Sequence, residues 1–123
     1  MVKKILFVCY TNINRSPTAA RVFSELLEEK GYLVFGRGVY TEHEFEVTSA
    51  GVYAYDEGNE ITDEQLANAN QIFFMDNYVY SEAKRLYKIE EEKSVVFDIK
   101  DIYFRNSSIL EEILRKKLKD FVP

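Results

Sequence analysis

The stretch ILFVCYTNINRSP, residues 5–17, sets the organisation of the whole chain. Its first four residues form a continuous apolar run, which is typical of a strand buried on both faces of a parallel sheet. A polar loop follows from Tyr10 to Arg15. Ser16 and Pro17 then indicate a helix start, because serine can cap a helix and proline is tolerated at the first helical position. The stretch therefore predicts a strand, a loop and a helix in succession.

Strands and helices alternate along the rest of the chain. Further strands are predicted from residue 45 to 49–51, at 72–75 and at 95–97. Helices are predicted to start at Thr62, at Asn77 with an apolar stripe of Val79, Ala83 and Leu86, and at Ser107 or Ser108. This alternation predicts an α/β fold with a parallel sheet and right-handed crossovers. The length of 123 residues fits a single domain over residues 1–123.

Composition narrows the class of protein. A net charge of −5 argues against a nucleic-acid binder, which normally carries a basic face. The lone Cys9 excludes an intramolecular disulfide and a multi-cysteine metal site, and the lone His43 offers no partner for a metal site. A free thiol suits a reducing compartment, and the apolar run at 5–8 is too short for a signal sequence or a membrane span. We therefore expect a soluble, cytoplasmic protein that binds neither nucleic acid nor membrane.

Polar residues follow two of the predicted strands. Cys9 lies at the carboxyl end of the first strand, and Asp98 and Asp101 lie just past the end of the fourth. Ligands of such sheets bind beyond the carboxyl ends of the strands, where the strand order reverses. We therefore expect Cys9 and the two aspartates on one rim of the sheet, although almost 90 residues separate them in sequence.

The loop between the first strand and the first helix has the spacing C-x5-R-S. Its backbone N–H groups and the positive end of the helix form a cradle for a dianionic phosphate, and Arg15 can close it with two parallel hydrogen bonds. The same cradle favours the thiolate of Cys9, which is then a nucleophile. The predicted phosphate-binding residues are Tyr10, Thr11, Asn12, Ile13, Asn14, Arg15 and Ser16.

The loop also has a simpler interpretation. A cysteine at the end of a buried strand is most often a small core residue, and an arginine six positions later is usually solvated. The preceding strand, the following helix start and the aspartates expected on the same rim favour the anion-binding interpretation.

Three stretches resemble the low-molecular-weight protein tyrosine phosphatases. FVCYTNINRSPTAA (7–20) resembles the family signature, TSAG (48–51) its S-A-G segment, and DIKDIY (98–103) its general-acid loop D-x-P-D-P-[YF]. The resemblance covers nearly the whole chain in order, and the chain most resembles a compact branch of the family. It implies a four-stranded parallel sheet in the order 2-1-3-4 with helices on both faces, and neither metal nor cofactor.

The resemblance also implies roles for individual residues. Cys9 would be the nucleophile, Arg15 would bind the phosphoryl oxygens, and Asp101 would be the general acid. Asn12 would hold the loop in a left-handed conformation, with hydrogen bonds to the supporting residues Ser16 and Ser49. Tyr103 would flank the substrate. Tyr53 and Tyr55 would either form a second aromatic wall of the site or only pack within their loop.

Departures from the family pattern affect the loop and the acid. Asn14 stands where many members carry a second cysteine, and Thr11 replaces a common glycine. Lys100 and Ile102 replace the prolines on either side of the acid, which loosens its loop. Asp98 therefore stays an alternative to Asp101 as the acid, because the chemistry needs only one acid within hydrogen-bond reach.

The function expected from this resemblance is phosphomonoester hydrolysis through a phosphocysteine. The substrate would be a phosphorylated protein or a small aryl phosphate, and the product inorganic phosphate. Three alternatives remain: an arsenate reductase that uses an external thiol, a phosphocarrier domain, and a non-catalytic module that binds phosphate or phosphotyrosine. The lone cysteine weighs against the first, and Arg15 with the aspartate loop against the second.

Overall fold

Strands and helices alternate in the computed structural model, which describes residues 2–38, 42–54 and 59–123. In chain order the elements are β1 (Lys3–Cys9), α1 (Arg15–Glu29), β2 (Phe45–Gly51), α2 (Asp63–Asn68), β3 (Gln71–Phe74), α3 (Asn77–Leu86), β4 (Ser94–Val96) and α4 (Ser108–Leu118), with 3-10 turns at Glu91–Lys93 and Lys119–Phe121. The predicted α/β class is confirmed. Within the described residues, no helix is long and apolar enough to cross a membrane.

The sheet has the strand order β2-β1-β3-β4, and all of its pairings are parallel. The expected order is confirmed. The register places Cys9 opposite Gly51 on one side of β1 and Val8 opposite Phe74 on the other. The chain leaves β1 on one side for β2 and returns on the other for β3, so Cys9 ends the strand at which the order reverses, where open α/β sheets bind ligands.

Side chains of β1 alternate between two hydrophobic clusters. Phe7 and Cys9 lie in a cluster with apolar residues of α1 and α4. Leu6 and Val8 lie in a second cluster with residues of α2 and α3. This alternation follows from the period of two in a strand. It places helices on both faces of the sheet and Cys9 on the face covered by α1.

α3 begins at Asn77 as predicted, whereas the start of α1 and the buried stripe of α3 differ from the predictions. α1 begins at Arg15 with Asn14 at its N-cap, and Ser16 does not cap it, because the Ser16 hydroxyl is directed at Cys9. Asp76, which precedes Asn77, caps α3 by accepting from Val79 N at 2.8 Å. Leu86 is 43% exposed and does not complete the buried stripe of α3, since it lies in the helix's last turn.

Two predicted caps agree with the structure. Thr62 caps α2 in a reciprocal capping box with Gln65. Ser107, and not Ser108, caps α4, and its side chain accepts from Leu110 N at 3.2 Å. Both caps satisfy backbone N–H groups that the first turn of a helix leaves unpaired.

Candidate active site

The sulfur of Cys9 is buried among polar groups. Cys9 is 3% exposed, and its Sγ lies 2.9 Å from Ser16 Oγ. The backbone N–H of Asn12 donates to the same Sγ at 3.2 Å. Hydrogen-bond donors around a sulfur stabilise its thiolate form. The cysteine therefore has the surroundings of a nucleophile and not those of an inert core residue.

Ser16 has one hydroxyl proton and three acceptors within reach. Its Oγ lies 2.9 Å from Asn12 Oδ1, 2.9 Å from Cys9 Sγ and 3.4 Å from Ala50 O. While Ser16 donates to Asn12, a Cys9 thiol can donate to Ser16. When the sulfur is a thiolate, the same hydroxyl can rotate and donate to it. Ser16 can therefore follow the charge state of Cys9 without a change in the backbone.

Asn12 adopts the left-handed conformation expected of it, with a φ of 59°. Its Oδ1 accepts from Ser16, but its Nδ2 donates to Asn59 Oδ1 at 3.0 Å. The expected hydrogen bond to Ser49 is therefore wrong, since the Asn12 side chain reaches past β2 to the segment that follows it. Ser49 stays half-buried in β2.

Gly51 explains why the S-A-G segment lies against the loop. A Cβ at Gly51 would stand 2.6 Å from the carbonyl carbon of Thr11 and 2.7 Å from the backbone N of Asn12. Both distances are shorter than real Cβ contacts, and both neighbours are backbone. Glycine at the end of β2 therefore lets the phosphate loop approach the sheet closely.

Arg15 is buried and not solvated. It is 2% exposed, and its Nη1 donates to Asp76 Oδ2 at 2.6 Å and to Ile99 O at 2.8 Å. Its Nε is the one fully buried side-chain nitrogen or oxygen without a hydrogen-bond partner among the described residues. A buried charged donor left unpaired is costly, so this N–H suits an anionic ligand.

Sequence reasoning missed Asp76. It lies directly after β3, and its two carboxylate oxygens serve α3 and Arg15 separately. An acidic residue at the carboxyl end of a buried strand, one position before a helix, was the available signal. Its charge offsets that of Arg15 and fixes the direction of the guanidinium.

The two candidate acids differ in their contacts. Asp101 is 58% exposed, and its Oδ1 lies 3.4 Å from Arg15 Nε. Asp98 is exposed and forms no ion pair with Arg15 within the described residues. Of the two candidate acids, Asp101 is therefore the one that lies beside Arg15.

Three tyrosines form a cluster next to the loop. The ring centroid of Tyr10 lies 5.1 Å from that of Tyr53 and 5.9 Å from that of Tyr78, which sequence reasoning missed. Tyr103 is half-buried and packs on the α1/α4 cluster. Tyr55 lies outside the described residues. Aromatic rings pack in tilted arrangements of this kind, and they offer a wall for an aromatic ligand.

Charged groups hold Tyr53 in this cluster. Tyr53 donates its hydroxyl to Glu82 Oε1 at 2.8 Å, and Arg85 Nη2 donates to the Tyr53 oxygen at 2.8 Å. The hydrogen bond to Glu82 raises the pKa of Tyr53 above its ordinary value. The hydrogen bonds from Arg85 and then Tyr53 lower the pKa of Glu82.

A cavity lined by described residues lies away from the Cys9 loop. It has a volume of about 580 Å³, and its lining residues are Asp63, Leu66, Ala67, Lys88, Glu90 and Lys93. Lys93 and Glu90 pair with each other at 2.6 Å, and the lining contains no cysteine, serine or threonine. Among the described residues, no group of three or more metal-ligating acids, histidines or cysteines is placed to hold a metal ion. The chemistry therefore points to Cys9 and not to this cavity.

A sequence model of the low molecular weight phosphotyrosine protein phosphatase family matches residues 4–72, which is more than half of the chain. The chain belongs to this family. As a low molecular weight phosphatase it is a cysteine-dependent phosphatase, which confirms the resemblance. The match ends before Asp76 and Asp101, so the roles of those residues depend on geometry. Among curated protein sequences, none matches the chain.

Solved structures share the fold of this low molecular weight phosphatase over nearly its whole length. A phosphatase of this type from Streptococcus pyogenes is 18% identical with a TM-score of 0.72, and covers 98% of this chain and 91% of its own. YwlE from Bacillus subtilis is 19% identical with a TM-score of 0.70 and coverages of 98% and 93%. A tyrosine phosphatase from Entamoeba histolytica is 24% identical with a TM-score of 0.67 and coverages of 96% and 90%.

Proposed function

We propose that the chain hydrolyses phosphotyrosine and related aryl phosphates, with Cys9 as nucleophile, Arg15 as phosphate clamp and Asp101 as general acid and base. One observation carries the proposal. Arg15, the arginine that ends the loop starting at Cys9, is 2% exposed, and its Nε makes no hydrogen bond, with the exposed Asp101 carboxylate 3.4 Å away as an ion pair. A phosphoryl oxygen would satisfy this N–H with a charge-assisted hydrogen bond.

The reaction follows in two steps from these side chains. The thiolate of Cys9 attacks phosphorus, a sulfur–phosphorus bond forms, and the bond to the ester oxygen breaks while Asp101 protonates that oxygen. Water then attacks the phosphocysteine, Asp101 takes its proton, and inorganic phosphate leaves as the thiolate returns. Arg15 and the loop N–H groups stabilise the equatorial oxygens in both steps, which is where catalysis of phosphoryl transfer lies.

The aromatic residues near the loop support an aryl substrate. Tyr10 directly follows the nucleophile and contacts Tyr53 and Tyr78. A phenyl ring seated beside Cys9 would pack against such a wall at little conformational cost. Phosphotyrosine in a protein and a small aryl phosphate both present this ring.

A protein of the same fold supports the covalent step. One structure of YwlE, described as an arginine phosphatase, is a cysteine-to-serine mutant with a phosphorylated active-site serine. Phosphoarginine is therefore the second substrate to test. The arsenate reductase, phosphocarrier and binding-module alternatives are less well supported, because Asp101 adjoins Arg15, as a hydrolytic acid would.

The deciding experiment compares wild type with Cys9→Ser and Asp101→Asn. We expect wild type to release phosphate from p-nitrophenyl phosphate and phosphotyrosine peptides, and Cys9→Ser to release none. Asp101→Asn should lose about 10²–10⁴-fold with phosphotyrosine peptides, the usual contribution of a general acid, because their phenolate leaving group needs a proton. The lone cysteine allows a trapped phosphocysteine to be assigned to Cys9 by mass spectrometry.

Other outcomes would contradict the proposal. Wild-type rates in Cys9→Ser would exclude Cys9 as the nucleophile. Hydrolysis of phosphoarginine without hydrolysis of aryl phosphates would replace the substrate class. Arsenate reduction with a small thiol, or phosphate binding without turnover, would favour the corresponding alternative.

A further inference from the structure

The segment that carries Asp101 is held at both ends by groups of the active site. At the start, Ile99 N donates to Met75 O at 3.0 Å, and Ile99 O accepts from Arg15 Nη1 at 2.8 Å. At the end, Arg105 N donates to Asn14 Oδ1 at 3.0 Å. The position of Asp101 between these anchors therefore depends on where the anchors hold the backbone.

Asn14 does not form the side-chain hydrogen bond that is usual for an N-cap asparagine. It occupies the N-cap of α1, a position at which asparagine normally accepts from the first turn of its own helix. Here its side chain makes no such hydrogen bond. Its Oδ1 instead accepts from Arg105 N, which is 91 positions away in sequence. The side chain therefore joins the phosphate loop to the acid segment and does not stabilise α1 locally.

Thr18 provides a second link between the same two segments. It is fully buried, and its hydroxyl donates to Asn14 O at 2.7 Å and accepts from Asn106 N at 2.9 Å. One hydroxyl thus joins the last residues of the phosphate loop to the end of the acid segment. Replacing it with an apolar group would remove the hydrogen bond from Asn106 N, whereas Asn14 O would keep the one from Thr18 N at 3.3 Å.

Asn106 is fixed in a conformation that few residues adopt. Its φ is 61°, in the left-handed region. Its Oδ1 accepts from Arg21 Nε at 3.0 Å, and Arg21 in turn pairs with Glu25 and Glu111. These contacts make the end of the acid segment a fixed point on α1.

We propose that Asn14 and Thr18 are positioning residues that hold Asp101 within hydrogen-bond reach of the leaving-group oxygen of a phosphate ester bound at Cys9. The inference rests on the proposed role of Asp101. No proline restricts the backbone beside the acid, because Lys100 and Ile102 flank it. Asp101 is 58% exposed, with one ion pair at 3.4 Å, so its own contacts hold it weakly. A general acid must come within hydrogen-bond reach, and a shift of about 1 Å can cost about 10²-fold.

The test compares two esters that differ in their need for an acid. p-Nitrophenolate leaves with little protonation, whereas phenolate needs a proton. Asn14→Ala and Thr18→Val should lower kcat/KM by about 10-fold or more with phenyl phosphate and by about 3-fold or less with p-nitrophenyl phosphate. Thr18→Ser, which keeps the hydroxyl, should restore the wild-type ratio of the two values. In an Asp101→Asn background, Thr18→Val should add no further loss with phenyl phosphate.

The contrary results separate this inference from the proposed function. Equal losses with both esters, together with weaker competitive inhibition by inorganic phosphate, would show damage to the phosphate loop and overturn the positioning role. A full additional loss in the Asp101→Asn background would overturn it as well. Thermal unfolding of each variant identifies a folding defect. If Thr18→Val does not fold, the kinetics of Asn14→Ala test the positioning role, because Asn14 is only half-buried. A wild type that cleaves neither ester would contradict the proposed function itself.

Discussion

At the scale of single residues, the candidate site depends on groups that cannot be exchanged for chemically similar ones. Arg15 uses Nη1 for Asp76 and Ile99 O, and its Nε makes no hydrogen bond and lies 3.4 Å from Asp101 Oδ1. Its planar fork makes this division possible, because its donors point in fixed directions. Gly51 has an equally narrow role, since backbone atoms of the loop occupy the space of a side chain.

Arg15→Lys should lose most of the activity although the charge is kept. A lysine ammonium is a point charge and cannot reach Asp76, Ile99 O and a phosphoryl oxygen in this geometry. We expect kcat/KM for p-nitrophenyl phosphate to fall by about 10²-fold or more, the usual effect of losing one oriented donor. Steady-state kinetics with Arg115→Lys, the same swap at a surface arginine that pairs with Glu29, is the control. Near wild-type activity in Arg15→Lys would refute the clamp.

Gly51→Ala should weaken phosphate binding as well as stability. The new Cβ would push Thr11 and Asn12 away from β2, at a cost of about 1–3 kcal/mol for an overpacked site. Gly31→Ala is the control, because Gly31 has open space around it but a φ of +89°. It should lower stability alone. Urea unfolding and the inhibition constant of inorganic phosphate measure the two effects, and an unchanged inhibition constant in Gly51→Ala would contradict this account.

At the scale of elements, α3 contacts the candidate site at two places, its N-cap and its interior. Its cap, Asp76, holds Arg15, and Glu82 in its interior holds the Tyr53 hydroxyl. α3 therefore orients both the phosphate clamp and part of the aromatic cluster. Such links matter because helices and strands are more rigid supports for a site than loops.

The Glu82–Tyr53–Arg85 contact should stabilise the protein only within a pH window. The lowered pKa of Glu82 means that its contribution is present above the ordinary value of 4.5 and is lost as pH falls through the lowered pKa. The raised pKa of Tyr53 means that its contribution is present below 10.0 and is lost as pH rises through the raised pKa. The stability difference between wild type and Glu82→Gln, from urea unfolding across pH, should shrink on both sides. A stability difference between the two proteins that is constant with pH would contradict this pH window.

At the scale of the whole molecule, a phenylalanine stack connects the sheet to the last residues of the chain: Phe7 and Phe97 stack on Phe73, and Phe121 meets Phe73 edge-on. The ring centroid of Phe73 lies 4.9 Å from Phe7, 5.3 Å from Phe97 and 5.0 Å from Phe121. Phe7 and Phe73 lie in the two central strands, whereas Phe121 follows α4. This stack therefore packs the last residues of the chain against the strands that end beside Cys9.

Phe73→Ala should destabilise the whole fold. The residue is fully buried, and truncating such a phenylalanine costs about 3–5 kcal/mol through lost burial and the cavity that remains. Phe35→Ala is the control, because Phe35 is 60% exposed and surface changes usually stay within about 0.5 kcal/mol. The urea midpoint of each variant measures the difference. Equal midpoints would show that the stack does not contribute to stability.

The sequence alone determined the features that depend on local pattern. The apolar run at 5–8 and the alternation of strands and helices predicted the fold. The spacing from Cys9 to Arg15 predicted the loop, and the family resemblance predicted the strand order. Periodicity and capping chemistry act over a few residues, so they can be read directly from a sequence. The cap of α2 at Thr62 belongs to this group. The cap of α4 was predicted at Ser107 or Ser108, and the left-handed Asn12 was implied by the family resemblance.

Only the tertiary structure decided which distant groups meet. Three hydrogen bonds join segments far apart in the chain. Arg15 donates to Asp76, Asn12 donates to Asn59 and not to Ser49, and Arg105 N donates to Asn14. No local pattern specifies such pairs, because side chains that cap or support a loop in one context can reach another segment once the sheet brings the two together. The same packing left Leu86 exposed at the end of α3, where helical periodicity predicted a buried residue.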